Sequence, residues 1–137
     1  MKTQHFFYGL AILAFLSTGC KKDNDYRDKW VGDWDFEVIR HWFLMGENGY
    51  SETDTIFYLG RISLINTAKL NINYTEDSSI DLEVDETGIL SGFQTGNGYS
   101  GGAFKGNDTL HLYLRWGGLG GGMVHNIDGI KRKGGHK

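Results

Sequence analysis

The chain has 137 residues, which fits one domain. Its net charge of −3, spread over mixed acidic and basic positions, gives no basic stripe for nucleic acid. One cysteine excludes an internal disulfide, and the absence of proline excludes a slow prolyl step in folding. Twenty-one glycines scattered among alternating apolar segments point to tight turns and strands.

Taken in chain order, Lys2 and His5 precede an apolar run from Phe6 to Leu16. The run is about half the roughly 20 residues that a spanning helix needs. A charged start, a short apolar middle and small residues after it predict a signal peptide over 1–19. The only cysteine, Cys20, stands at the seam where the apolar run gives way to charge. Residues 20–29 are polar and lack apolar periodicity, which predicts a flexible tether.

Leu16-Ser17-Thr18-Gly19-Cys20 resembles the lipobox of bacterial lipoproteins, with Ser17 where that family usually has leucine. The resemblance implies cleavage before Cys20, a diacylglycerol on its sulfur and a further acyl chain, such as palmitate, on its new amine. Several acyl chains hold a protein far more firmly than one. Lys22-Asp23-Asn24-Asp25 is similar to the surface-export signal of Bacteroidota lipoproteins. It implies an outer-membrane, lipid-anchored protein carried to the cell surface, with Asn24 breaking the acidic run.

From Trp30 the apolar period is close to two. Trp34, Phe36 and Val38 alternate with Asp33, Asp35 and Glu37, and the same pattern recurs to Trp116. Turn signals at 75–78, 85–88, 96–98, 106–108 and 117–122 separate the segments. Strands are predicted over 30–45, 55–65, 69–75, 79–85, 88–94, 99–105, 109–116 and 122–131. Short links make neighbours antiparallel. The fold class is therefore all-β, an up-and-down meander of about eight strands over 30–133 that closes to remove its edges. Residues 134–137 form a tail.

Gly32 and Trp34 open the first strand as Gly-x-Trp, which resembles the start of lipocalins and of the shorter lipocalin-like domains on bacterial lipoproteins. In that family the tryptophan plugs one barrel end and a late basic residue packs over it, a role for which Arg115 is the candidate. The chain is shorter than a typical lipocalin, and a glycine run replaces the helix before the last strand.

Whether such a barrel holds a ligand depends on its inward residues. Those expected inward are mostly large: Trp34, Phe36, Tyr58, Leu64, Leu70, Ile72, Tyr74, Leu82, Phe104, Leu112, Leu114 and Trp116. They predict a filled interior, with a small apolar pocket at one mouth as the alternative. Trp42, Phe43 and Met45 run past the clean alternation and, set beside Phe57, predict an apolar patch near the 46–54 loop. The competing reading is a bulge that turns both faces into core.

The remaining motifs read as ordinary surface. His41, His111 and His125 lack the spacing of a zinc site and are expected at the surface. Glu47, Asn48, Glu52 and Asp54 lack the pattern of a calcium loop. The Gly117–Gly122 run lacks the Lys-Ser/Thr of a phosphate cradle. Asp54-Thr55-Ile56 and Asp108-Thr109-Leu110 are similar to the O-glycosylation pattern of the Bacteroidota, which makes Thr55 and Thr109 candidate acceptors beside turns. The expectation is a non-enzymatic binding protein without cofactor, held at the membrane by its lipid. It would recognise a small apolar molecule, a glycan or an envelope protein. The alternative is an inhibitor or accessory subunit of an envelope complex, acting through loops and the apolar patch.

Overall fold

Alternating apolar residues force each strand to hide one face, and eight such strands hide it by curling around a common axis. The computed structural model describes residues 25–95 and 97–134. The expected signal peptide, Cys20 and most of the expected tail lie outside these residues. The strands are β1 Gly32–Leu44, β2 Tyr50–Leu64, β3 Lys69–Thr75, β4 Ser78–Val84, β5 Ile89–Thr95, β6 Gly98–Lys105, β7 Thr109–Gly118 and β8 Gly121–Lys131. Each pairs antiparallel with the next, and β8 pairs back onto β1, so the meander is a closed barrel.

The register stacks the inward residues of β2, β1, β8, β7 and β6 in rows. Tyr58, Phe36, Gly129, Leu110 and Phe104 form one row, and Ile56, Val38, Ile127, Leu112 and Gly102 the next. Bulky and small positions interlock. A Cβ added at Gly129 would lie 2.8 Å from the Phe36 ring, and one at Gly60 would lie 2.7 Å from it. Phe36 therefore fills a narrow lumen only because glycine faces it on both sides. Trp34, Val38, Ile62, Leu70, Ile72, Leu82, Leu110 and Leu114 are fully excluded from water. Leu64 is a correction to the expected interior: it is 40% exposed, because its pairing with Leu70 falls at the very end of β2.

One end, the base, is sealed by a part of the chain expected to be tether. Residues Tyr26–Trp30 form a 3-10 helix, and the Asp25 side chain caps it by accepting from the Arg27 backbone N–H at 3.0 Å. Trp30 stacks on Phe104 with ring centroids 4.5 Å apart, and its indole N–H donates to the Gly106 carbonyl at 3.0 Å. The Trp34 indole donates to the Trp30 carbonyl at 2.9 Å, and the Tyr26 hydroxyl donates to the Val84 carbonyl at 2.7 Å. Arg27 is buried, paired with Asp25, and donates to the carbonyls of Asn66 and Lys69. Hydrogen bonds from Arg27 hold the Asp25 carboxyl down at a pKa of about 2. Residues 25–29 are thus a plug and not a stem, because Tyr26 and Arg27 find partners on the barrel that a polar stretch of sequence does not announce. Gly88 completes the seal. Its φ of +93° strains any residue with a side chain, and an added Cβ would lie in tight contact 3.1 Å from Trp30.

The opposite end is lopsided. β1 and β2 run 13 and 15 residues, whereas β3, β4 and β5 have 7 each. β3 pairs with β2 only over Arg61–Leu64, so the Tyr50–Leu59 part of β2 has β1 on one side and no ladder partner from β3 on the other. β2, β1, β8 and β7 rise together as the higher wall, β8 pairing with the last residue of β1 and with the end of β7.

Candidate functional site

The inward column of β1 changes character as it climbs from base to rim. Trp34, Phe36 and Val38 are buried, Arg40 and Trp42 are half-buried, and Leu44 is 50% exposed. β2 repeats the trend through Ile62, Tyr58, Ile56 and Asp54 to Tyr50 at 56% exposure. The lower half is filled, and the upper end, here termed the cup, presents its inward side chains increasingly to solvent. The buried residues of the lower half are mostly the large ones expected inward; towards the rim the inward column carries Arg40, Asp54 and Glu52 beside Trp42, in place of the wholly apolar lining that a small apolar pocket implies.

The floor of the cup is one row of the register: Asp54 on β2, Arg40 on β1, His125 on β8 and Leu114 on β7. The Arg40 guanidinium grips the Asp54 carboxylate through Nε at 2.9 Å and through Nη2. This two-point geometry raises the Arg40 pKa and lowers that of Asp54. The next row towards the rim holds Glu52, Trp42 and Met123, with Trp116 beyond. Arg40 lies over the Trp42 ring, its Cζ 4.8 Å from the centroid.

His125 is 4% exposed, against the expectation of a surface histidine. It lies on the inward phase of β8, two residues before Ile127, and that phase overrides its polarity. Its Nδ1 meets the Tyr74 hydroxyl of β3 at 3.2 Å. Trp116 packs edge-on against the imidazole with centroids 5.1 Å apart. Nε2 is buried and has no hydrogen-bond partner. Burial and the nearby Arg40 charge push the His125 pKa below its ordinary value, while burial raises that of Tyr74. Both side chains are therefore neutral near pH 7 and present hydrogen-bonding groups without net charge.

The other sequence-predicted residues fall elsewhere. Gly32 and Trp34 lie at the base, Gly32 with a φ of +138° and Trp34 fully buried. Arg115 is a correction. It is exposed on the outward phase of β7, roughly 17 Å along the strand from Leu110 of the Phe36–Phe104 row, so it packs over neither basal tryptophan. A cation that does lie over a basal tryptophan is Lys29, whose Nζ is 4.2 Å from the Trp30 ring centroid. The expected single apolar patch is also a correction. Phe43 pairs with Ser51, whereas Phe57 pairs with Glu37, six positions and about 20 Å away along β1. Trp42 faces the cup, Phe43 stacks on His41, and Met45 is 66% exposed at the rim. Phe57, at 76% exposure, belongs to an outer band with Leu59 and Ile130. That band lines a surface depression of about 500 Å³ edged by Asp35, Glu37, Asp128 and Arg132.

Thr109 opens β7 beside a turn as expected, but Thr55 sits inside β2 opposite Ile39, exposed on the outer face. Glu52 and Asp54 also belong to β2 and not to a loop. His111 faces outward and bonds Asp128 at 2.5 Å. Among the described residues no three His, Cys, Asp or Glu side chains are grouped to hold a metal. Comparison of the chain with protein-family models, with curated proteins and with solved structures finds no match.

Proposed function

We propose that this chain is a binding protein of the bacterial envelope, lipid-anchored through Cys20, with a lipocalin-like barrel that recognises a small molecule in its cup without transforming it. The observation that carries the reading is the change along the inward columns, from fully buried apolar residues to the half-buried Arg40 and Asp54 beside a buried His125, with Trp42 in the row above. A small ligand site has this composition: aromatic walls and a few convergent polar groups. The lipobox at 16–20 supports the anchoring.

Organic extracts of the chain purified from native membranes, compared by mass spectrometry with extracts of the Trp42→Ala variant, test the binding. A species enriched with the wild type and depleted from the variant is expected; identical extracts count against the cup. Cys20→Ser tests the anchor. Labelled palmitate is expected on the wild type, which partitions into detergent, and to be absent from the variant, which stays in the aqueous phase. Equal labelling of both ends the lipidation reading.

The outer band of Phe57, Leu59 and Ile130 favours a second reading, an accessory subunit that docks a protein there. Exposed contiguous apolar surface of this kind marks partner sites.

A further inference from the structure

We infer that the cup takes a neutral, ring-shaped molecule carrying hydroxyl groups. This rests on the reading of the cup as the ligand site and narrows it to a chemistry. Charge comes first. Arg40 and Asp54 neutralise each other side by side, so an anionic ligand finds no unpaired cation on the floor. An anion would have to displace Asp54 from a two-point contact and pass Glu52 at the rim. The orphan nitrogen comes second. His125 Nε2 is buried without a partner, and its role as donor or acceptor follows from the proton that Nδ1 shares with the Tyr74 hydroxyl. A hydroxyl both donates and accepts, so it satisfies Nε2 in either tautomer, which a carbonyl or an ammonium does not. The guanidinium and carboxylate beside it offer N–H groups and lone pairs a few ångströms apart, a match for neighbouring hydroxyls. The walls come third. Trp42 and Trp116 are both half-buried in the row above the floor, aromatic side chains of the kind that pack on the C–H or π face of a ring. Trp116 packs edge-on against the imidazole, and a ring that bonds Nε2 takes its place there.

Two sources supply such a ring, a monosaccharide and a phenol, and a titration separates them. The full chain in detergent is ¹⁵N-labelled, and the His125 imidazole and the indole N–H signals are followed. The probes are D-glucose, D-galactose, N-acetyl-D-glucosamine, phenol, benzoate, inorganic phosphate and toluene. A saturable shift of the His125 nitrogens with a sugar or with phenol is the expected result, and which of them acts names the source. His125→Phe and Arg40→Met are expected to weaken that probe at least 10-fold, while Phe57→Ser on the outer band leaves it unchanged. If either cup variant does not fold, Trp42→Ala replaces it, and the wild-type titration stands alone in any case. Benzoate, phosphate or toluene acting at His125 as strongly as the hydroxylated rings overturns the ligand chemistry and leaves the cup as a site. No response at His125 to any probe overturns both.

Discussion

At the scale of single residues, the positions that matter most are those where polarity and strand phase disagree. Arg40 and His125 occupy inward phases that their neighbours Val38 and Ile127 mark as core. Carried two residues further along each strand, the alternation would have pointed both inward. A histidine read one at a time looks like surface, and only the cross-strand partner Arg40 reveals the row to which it belongs. Burial and Arg40 lower the folded-state pKa of His125 beneath its unfolded value of 6.5. The folded chain thus binds fewer protons than the unfolded one in that window. The stability contributed by the neutral ring is complete above about pH 6.5 and is lost as pH falls through the folded-state pKa. Asp54, its pKa lowered by Arg40, stays ionised across this range. Chemical denaturation between pH 7.5 and 5 should show stability falling on acidification, and a smaller slope in His125→Phe. Gly60 gives a second residue-level outcome. A Cβ there would lie 2.0 Å from the Asn73 carbonyl oxygen, a backbone atom that cannot step aside. Gly60→Ala should cost about 1–3 kcal/mol, the usual range for overpacking, read as a lower denaturation midpoint.

At the scale of elements, all eight strands were legible because period-two alternation and turn residues report directly on pleat and hairpin. The expected bounds differ from the observed ones mainly at β2, which begins at Tyr50 and not at 55. Ser51, Glu52 and Thr53 carry no apolar signal, and they are held in strand by pairing with Phe43, Trp42 and His41. The 3-10 helix was not legible. Its cap Asp25 and its charged residues Arg27, Asp28 and Lys29 look like tether, and its contacts run to Val84, Asn66 and Gly106, far away in the chain. Trp30 is its anchor, 1% exposed and stacked on Phe104. Trp30→Ala should cost about 3–5 kcal/mol, as large-to-small changes at buried aromatics do, and a thermal melt checks it. A loss under 1 kcal/mol would mean that the plug is ornamental and that the barrel closes without it.

At the scale of the whole molecule, a dense lower half and a more exposed upper half would, on the proposed reading, divide the work between stability and recognition. The division predicts that surface changes on the outer band leave folding alone. Phe57→Ser at a 76% exposed position should shift stability by no more than about 0.5 kcal/mol, checked by denaturant titration, whatever it does to partner capture. The plug also sets a direction. The chain reaches the barrel at its base, where Asp25 caps the 3-10 helix, and the cup opens at the far end. Cys20 precedes Asp25 by five residues, which span at most about 18 Å when fully stretched. Acyl chains at that cysteine would moor the molecule base-down within a short leash of the bilayer. Its mouth would then point away from the lipid, towards whatever diffuses past.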